Sequence, residues 1–215
     1  MEIEAKFTLA PGMEEKILSS ALVTEVARGD GEELSMESTY YRDVAGRLDA
    51  EGYTLRYRME NGSGVCCLKW DHATDGAVKT RHELECGAAD IRTGIAGLLL
   101  VGAPQSFADA VQDAELEVAA RVCFTRRTRR LELSGGAWAE LAIDVGAFGT
   151  EGQEPFYELE LEWKFGPKEP YYDFLAALQE AFDLTPQTES KYARAKATLL
   201  AERRSTVSAN AESDE

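Results

Sequence analysis

Carboxylates separated by a single residue recur in this sequence, on segments that alternate polar and apolar residues. Residues two apart on a β-strand lie about 7 Å apart at Cα and point to the same side, so their carboxylates can converge on one cation. Oxygen ligands with no His or Cys nearby suit Mg²⁺ or Mn²⁺ rather than zinc. The sets with this spacing are Glu2 with Glu4, Glu83 with Glu85, and Glu158 with Glu160 and Glu162.

Basic residues occur with the same spacing and in the same phase. Guanidinium groups match phosphate oxygens, and Mg²⁺ in proteins usually binds through carboxylates together with substrate phosphates. Carboxylates for a metal beside arginines for phosphate are the groups that phosphoryl transfer requires. In the run of arginines from 126 to 130, we expect Arg127 and Arg129 on the functional face and Arg126 and Arg130 outside. The basic candidates are Arg56 with Arg58, Lys69, Arg81, and Arg127 with Arg129.

Short strands must position these side chains, because polar and apolar residues alternate with period two through most of the chain. Helical spacing interrupts the strands near the start, in the middle and at the end. The predicted strands are 2–9, 37–42, 53–59, 65–70, 79–86, 124–133, 137–145 and 156–165, and the predicted helices are 13–23, 90–101, 104–113, 171–182 and 188–203.

The strands place charges of both signs on one face and apolar residues on the other, which the helices can cover. Two architectures fit this pattern. In an open sheet the charged face is solvated, and its ion pairs contribute little. In a closed barrel of about eight strands the charged face points inward, around a space wide enough for side chains or one small ligand.

The composition restricts the class of partner. The 215 residues include 23 Lys and Arg against 39 Asp and Glu, a formal net charge of −16. This argues against a nucleic-acid binder, which needs a basic surface, and against a polybasic membrane contact.

We see no targeting segment and no apolar run long enough to span a bilayer, so we expect a cytoplasmic protein. Its four cysteines lack metal-ligand spacing and are expected to be reduced. We expect one domain over residues 1–203 and a disordered acidic tail over 204–215.

At this point the ordered motifs identify a family. The opening Glu-Ile-Glu-Ala-Lys resembles the ExExK signature of the CYTH superfamily, the triphosphate tunnel metalloenzymes. The resemblance covers residues 1 to about 200 and is closest to bacterial inorganic triphosphatases. The further family-like motifs, in order, are T-Y-Y-R-D from Thr39, L-R-Y-R from Leu55, L-K from Leu68, R-H-E-L-E from Arg81, I-D-V-G from Ile143, E-L-E-L-E from Glu158 and S-K-Y-A-R-A from Ser190.

The resemblance implies a fold and a set of roles. The fold would be α+β but mainly β, a closed antiparallel eight-stranded barrel with helices packed outside. Mg²⁺ or Mn²⁺ would be the cofactor. The metal ligands would be Glu2, Glu4, Asp144, Glu158 and Glu160; the catalytic residues would be Glu2, Glu4, Lys6, Glu85 and Lys191; and the substrate-binding residues would be Lys6, Arg56, Arg58, Lys69, Arg81, Arg127 and Arg129.

The function that this resemblance implies is metal-dependent hydrolysis of inorganic triphosphate to pyrophosphate and phosphate, in a monomer or homodimer. Three alternatives remain open at this stage. The substrate could be thiamine triphosphate or another organic triphosphate, the reaction could be that of an adenylyl cyclase, or the charged interior could bind polyphosphate without turnover.

Overall fold

Nine strands form one continuous sheet in the computed structural model, which describes residues 1–149 and 152–212, with side chains described up to residue 202. The strands are β1 (Glu2–Thr8), β2 (Ala27–Asp43), β3 (Thr54–Glu60), β4 (Ser63–Asp75), β5 (Val78–Gly87), β6 (Leu116–Glu132), β7 (Trp138–Phe148), β8 (Glu154–Phe165) and β9 (Thr185–Pro186). The helices are α1 (Met13–Leu18), α2 (Ala21–Thr24), α3 (Arg47–Ala50), α4 (Ile91–Leu100), α5 (Gln105–Val111), α6 (Glu169–Phe182) and α7 (Lys191–Glu212).

The sheet closes into a barrel. Its order is β5-β4-β3-β2-β6-β7-β8-β1, and β1 also pairs with β5, so eight antiparallel strands form a ring while β9 adds to β1. In this ring Glu4 lies opposite Lys79 on one side and Glu162 on the other. The predicted closed barrel is confirmed, and the open-sheet alternative is wrong.

Alternation along the strands explains which side chains point outward. On β1, Ile3, Ala5 and Phe7 are buried in an outer core beneath α1, α2 and α6, where Tyr171 and Leu178 also pack. A second outer core lies beneath α4 and α5. Burying these apolar faces leaves Glu2, Glu4 and Lys6 on the inside, because successive side chains point to opposite faces.

A third apolar cluster lies inside the barrel and involves α7. On β6, Val122 and Phe124 point inward and pack with Met36 of β2 and Ala195 of α7. Tyr192 of α7 stacks on Tyr40 of β2 with ring centroids 4.9 Å apart. The first turns of α7 therefore fill one end of the barrel, which we call the closed end.

Most predicted elements exist, but several boundaries differ. The predicted helix 13–23 is two short helices, because Ser19 and Ser20 donate hydroxyl hydrogen bonds to the carbonyls of Glu15 and Ile17 and end α1. Strands β2 and β6 begin ten and eight residues earlier than predicted, at Ala27 and Leu116. The added part of β2 is paired through the backbone but mostly exposed, so no apolar alternation marked it. In the added part of β6, Ala120 and Val122 are buried inside the barrel.

The end of the chain also differs from the prediction. Helix α7 extends to Glu212, beyond the predicted end at residue 203. The boundary of the domain at 203 and the disordered tail stay predictions, and residues 213–215 lie outside the described residues. Among the described residues, none of the helices is both long and apolar enough to cross a membrane.

Asp43 provides a test of the local structure at the closed end. Its carboxylate is 2 % exposed and accepts hydrogen bonds from the backbone N–H groups of Arg47 (3.0 Å) and Leu48 (2.8 Å) at the start of α3. Burial alone would raise the pKa of Asp43, but these hydrogen bonds lower it. We expect Asp43→Asn to lower the free energy of unfolding at pH 7 by about 2 kcal/mol. The Asn side chain is neutral and has one oxygen, so one of the two backbone N–H groups loses its charged acceptor.

The pH dependence of that loss follows from the sign of the pKa shift. A carboxyl with a lowered pKa stabilises the fold above its unfolded pKa and loses this contribution as pH falls through its folded pKa. Urea unfolding of the wild type and Asp43→Asn should therefore differ most near neutral pH and converge in acid. Asp49→Asn is the matched control, because Asp49 lies in α3, the helix that Asp43 caps, but forms an exposed ion pair with Lys196; we expect a change below about 0.5 kcal/mol. A pH-independent difference for Asp43→Asn would contradict the assignment.

Candidate active-site tunnel

The interior of the barrel contains a cavity of about 180 Å³ with a charged lining. Seven carboxylates and eight cationic side chains contribute to it, so the lumen is close to neutral although the whole chain carries −16. The excess acid therefore lies outside the cavity wall. The charged lining residues are Glu2, Glu4, Lys6, Arg56, Arg58, Lys69, Arg81, Glu83, Glu85, Arg126, Glu140, Glu160, Glu162, Lys164 and Lys191.

Three buried carboxylates form a cluster on β7 and β8, which we call the carboxylate cluster: Asp144, Glu158 and Glu160. Asp144 pairs with Glu158 across the two strands, and Glu160 follows two residues later on the same face. Each offers an oxygen within 4.8 Å of the others, and their exposed fractions are 0 %, 1 % and 8 %. Carboxylates this close repel one another unless cations separate them.

Cationic groups from three elements surround the carboxylate cluster. The Lys191 ammonium of α7 lies 2.7 Å from Asp144 Oδ2 and 2.9 Å from Glu160 Oε1, and it also contacts Glu158. Arg126 of β6 donates two hydrogen bonds of 2.7 Å to Asp144 and contacts Glu160. Lys6 of β1 lies 2.7 Å from Glu160, and Arg194 contacts Glu158.

These contacts keep Asp144 and Glu160 ionised. Burial alone would raise the pKa of Glu160, but Lys191, Lys6 and Arg126 hold it well below the usual range. Burial would likewise raise the pKa of Asp144, and Arg126 and Lys191 lower it instead. The same pairs raise the pKa of Lys191 and Arg126 against the effect of burial. Asp144 and Glu160 therefore carry their charge inside the barrel, and the cluster already contacts cations.

Glu2 and Glu4 lie on the neighbouring wall rather than in the carboxylate cluster. Glu2 accepts from Lys69 at 3.3 Å and contacts Arg81, while Glu4 lies 3.3 Å from Lys6 and also contacts Arg81. Because Lys6 contacts both Glu4 and Glu160, one ammonium connects the two acidic groups. The predicted metal ligands are thus adjacent, in two groups bridged by Lys6.

The wall formed by β3, β4 and β5 is basic. Arg56 lies 3.2 Å from Glu85, and Lys69 lies 2.9 Å from Glu83. Arg58 contacts Glu60 and lies 3.7 Å from Glu85. The Nε atoms of Arg56 and Arg58 are buried without a hydrogen-bond partner among the described residues. Donors left free in this way suit an incoming anion.

Cys67 is a lumen residue that the sequence did not reveal. It donates a 2.9 Å hydrogen bond to Glu83 and, with Glu83 and Glu85, forms a second group that could hold a cation. Burial raises the pKa of the thiol, and Lys69 and Arg56 already neutralise the two carboxylates. A hard cation therefore fits the oxygen-only carboxylate cluster better than this group.

The structure corrects the predicted orientation of two arginines. Arg127 points outside the barrel, 2.9 Å from Glu15 of α1, and Arg129 donates to the backbone carbonyl of Thr128. Arg126 takes the lumen position instead. The prediction assumed that the apolar face of β6 points outward, as it does in the neighbouring strands. At Val122 and Phe124 the apolar face of β6 points inward instead, because it packs on α7.

The other predicted strand residues lie on the face that alternation predicted, and Lys191 of α7 reaches the cavity as the family resemblance implied. The cavity wall includes Glu2, Glu4, Lys6, Arg56, Arg58, Lys69, Arg81, Glu85, Glu160 and Lys191, while Asp144 and Glu158 contact Lys191 just behind it. Their catalytic and binding roles stay predictions. Sequence reasoning missed Arg126 and Arg194, and it did not select Lys79, although Lys79 shares the phase of Arg81.

Two charged groups of the barrel, Glu162 in the cavity wall and Lys79 on β5, have pKa values shifted toward neutrality. Burial, opposed by Lys164, raises the pKa of Glu162 to about 7. Burial together with the nearby Lys6 ammonium lowers the pKa of Lys79 to about 8, against the opposing effect of Glu4.

Comparison with known proteins agrees with this geometry. The CYTH domain profile matches residues 1–195, which is most of the chain. The chain belongs to the CYTH domain family. No curated protein sequence matches it.

Solved structures share the CYTH fold of this chain at low sequence identity. A proposed adenylyl cyclase from Hippeastrum, described as having a dominant triphosphatase activity, is 21% identical with a TM-score of 0.64, over 92% of this chain and 96% of that one. The PH1819 protein from Pyrococcus horikoshii is 17% identical with a TM-score of 0.56, over 94% and 99%. A proposed adenylate cyclase from Bacillus halodurans is 20% identical with a TM-score of 0.51, over 90% and 96%.

The barrel of this chain places a group of carboxylates that could hold a cation beside basic side chains, around one cavity. The three carboxylates, whose ligand atoms are all oxygens, fit a Mg²⁺- or Mn²⁺-like ion, and the Lys191 ammonium shows that the cluster accepts a cation. Arginines with unpartnered donors on the basic wall fit phosphate oxygens.

Proposed function

We propose that this CYTH protein is a metal-dependent triphosphatase that hydrolyses inorganic triphosphate to pyrophosphate and phosphate. The observation that supports it best is the pairing, around one small cavity, of an oxygen-only carboxylate cluster with a wall of arginines and lysines. Drug-sized ligands generally occupy about 300–1,000 Å³. A cavity of about 180 Å³ therefore favours an unsubstituted phosphate chain over a nucleotide or thiamine derivative.

In this proposal the basic wall binds the substrate. Arg56, Arg58 and Lys69 would exchange their carboxylate partners for phosphate oxygens, and Arg126 would contact the phosphate next to Glu160. Their fixed positions would place charge where the transition state develops it, which is the main contribution a protein makes to phosphoryl transfer.

The acidic residues hold the metal in this proposal. Asp144, Glu158 and Glu160 would bind Mg²⁺ or Mn²⁺, with Glu4 and Glu2 contributing from the neighbouring wall. When bound, the metal would neutralise phosphate oxygens and lower the pKa of a bound water that attacks phosphorus. Glu85 would keep Arg56 and Arg58 in place until substrate binds, because it contacts both.

The Hippeastrum neighbour is described as having a dominant triphosphatase activity, which is consistent with this proposal. The Bacillus halodurans neighbour is described as a proposed adenylate cyclase, and a cyclase is therefore the competing function. A cyclase would need space for an adenine and ribose next to the phosphates. We therefore expect ATP to be a poor substrate.

The decisive experiment measures phosphate release from tripolyphosphate, thiamine triphosphate and ATP with Mg²⁺ or Mn²⁺. We expect tripolyphosphate to have the highest kcat/KM, and Glu4→Gln to lower it at least about 100-fold, since Glu4 orders Lys6 and Arg81 beside the metal ligands. Glu132→Gln, in an exposed ion pair with Arg28 outside the barrel, is the matched control. Faster turnover of ATP or thiamine triphosphate, no turnover with either metal, or an unaffected Glu4→Gln would each refute the proposal.

A further inference from the structure

Two cysteines on the outside of the barrel face each other across neighbouring strands beneath α4. Cys66 of β4 lies directly opposite Cys86 of β5 in the register of the sheet. Both belong to the outer apolar core under α4, where Cys66 is fully buried and Cys86 is partly exposed. Both are free thiols. Neither takes part in the proposed reaction, because that reaction takes place on the inner face.

Helix α4 lies directly on the two sulfur atoms. The Cys86 thiol donates a hydrogen bond of 3.4 Å to the carbonyl of Gly94. A β-carbon at Gly94 would lie 2.6 Å from Cys66 Sγ, and one at Gly97 would lie 2.7 Å from Cys86 Sγ. Only glycine fits at such short distances. Since both sulfur atoms lie beside Gly94, the two thiols share one small volume between the sheet and the helix.

The spacing of the two strands is compatible with a disulfide. Residues directly opposite in antiparallel strands have Cα atoms about 4.5–5.5 Å apart, and disulfides span about 4.4–6.8 Å between Cα atoms. Their Cβ atoms lie about 4.5–5.5 Å apart, whereas a disulfide prefers about 3.5–4.5 Å. The bond would therefore draw the two β-carbons together by about 1 Å. A bond formed against such spacing is reduced more easily than an unstrained one.

The next pair along the same ladder faces the lumen. Cys67, which follows Cys66, lies opposite Glu85, which precedes Cys86. Glu85 lies 3.2 Å from Arg56 and 3.7 Å from Arg58. A movement of β4 against β5 at the outer pair therefore displaces the carboxylate that contacts both arginines. Displacements of about 1 Å in a preorganised site are large enough to weaken its function.

We propose that Cys66 and Cys86 form a reversible disulfide when they react with a low-molecular-weight disulfide such as oxidised glutathione, and that this bond lowers the affinity of the lumen for triphosphate. The pairing of the two cysteines is independent of the proposed triphosphatase function. The effect on affinity rests on that function and adds a form of regulation to it.

The reaction proceeds by two thiol–disulfide exchanges. The more exposed Cys86 thiolate attacks the oxidant, forms a mixed disulfide and displaces one thiolate. The Cys66 thiolate then attacks the Cys86 sulfur and displaces the second. The protein loses two electrons, and its two thiol protons go to the two displaced thiolates, so the oxidant becomes two thiols. Burial raises the pKa of Cys86 and raises that of Cys66 to about 12, so we expect the exchange to take hours.

The test follows the bond and the affinity separately. The wild type is equilibrated with oxidised glutathione at mildly alkaline pH, its remaining thiols are alkylated, and it is cleaved after Lys and Arg. We expect mass spectrometry to find peptides 59–69 and 82–92 joined, and dithiothreitol to separate them. Calorimetry with tripolyphosphate, in EDTA to prevent turnover, should show a dissociation constant about 10-fold higher in the oxidised protein, which returns to its original value on reduction.

Four single variants identify the cysteines involved. Cys66→Ser and Cys86→Ser should form no link between the two peptides, and the oxidant should leave their affinity unchanged. Cys67→Ser should still form the link, because Cys67 lines the lumen on the other face of the sheet. Cys123→Ser removes the exposed thiol of β6 and is the matched control, which should behave as the wild type in both measurements.

The outcomes separate this inference from the proposed function. The pairing is wrong if the oxidised wild type contains no link, or if the link persists in Cys66→Ser. A link in the wild type with unchanged affinity would overturn the regulatory effect. If the reduced wild type binds no tripolyphosphate, the proposed function and the regulatory effect both fail, whereas mass spectrometry still decides whether the two cysteines pair.

Discussion

Replacing Arg126 by Leu is expected to lower kcat/KM for tripolyphosphate at least about 100-fold, whereas Arg127→Leu should change it less than about 2-fold. Arg126 reaches the lumen and contacts both Asp144 and Glu160, so its loss removes a phosphate contact and disturbs the proposed metal ligands. Arg127 contacts exposed Glu15 outside the barrel, where an ion pair contributes about 0–1 kcal/mol. The two residues are adjacent in sequence and identical in type, so each is the control for the other.

The same pair of variants should differ in stability. Arg126→Leu leaves two buried carboxylates with one cation fewer, and breaking a buried ion pair in this way costs about 3–5 kcal/mol. Chemical denaturation of both variants measures the difference, and circular dichroism establishes that each is folded before activity is compared. Equal losses of activity in the two variants would contradict the register of β6 described above.

Replacing Lys191 by Met is expected to make the fold depend on a divalent cation. The ammonium compensates Asp144, Glu158 and Glu160 together, so the variant without metal should lose about 3–5 kcal/mol of stability, or about 10 °C in Tm. Because the vacated position is surrounded by oxygen ligands, added Mn²⁺ or Mg²⁺ should recover much of this loss.

The readout for Lys191→Met is Tm as a function of metal concentration, with Na⁺ at matched ionic strength as the control for screening. The increase in Tm with Mn²⁺ should be several times larger for the variant than for the wild type, whose lysine competes for the same carboxylates. Lys196→Met, on the same helix but in an exposed ion pair with Asp49, is the matched control and should show the wild-type response. An equal metal response in Lys191→Met and the wild type would show that the metal binds elsewhere.

The barrel could be predicted because its strands repeat one simple pattern. On β1, Glu2, Glu4 and Lys6 alternate with Ile3 and Ala5, and each set lies on one side of the sheet as the pattern requires. Closure could not be read from alternation alone, since an open sheet has the same pattern. The ordered family-like motifs decided between the two, and the pairing of β1 with β5 confirms the closed form.

Strand β6 shows where this reasoning fails. Alternation predicts which residues share a face, but the inner face was identified by assuming that apolar residues point outward. Inside this barrel α7 brings its own apolar residues, so Val122 and Phe124 face inward and carry Arg126 with them. Such an inversion depends on a helix far along the chain, and a local pattern does not encode it. Cys67 was overlooked for a related reason, because a thiol in a strand was assigned to the apolar side.

Helix α7 affects how small molecules enter and leave the barrel. Its first turns close one end of the cavity, where Ser190, Lys191 and Tyr192 line the wall. Glu140, Glu162 and Lys164 lie toward the opposite end. Under the proposed function, triphosphate would enter through the end of the barrel that α7 does not fill, and pyrophosphate and phosphate would leave through the same end. Each product would then compete with the next substrate molecule, and accumulating pyrophosphate would slow turnover.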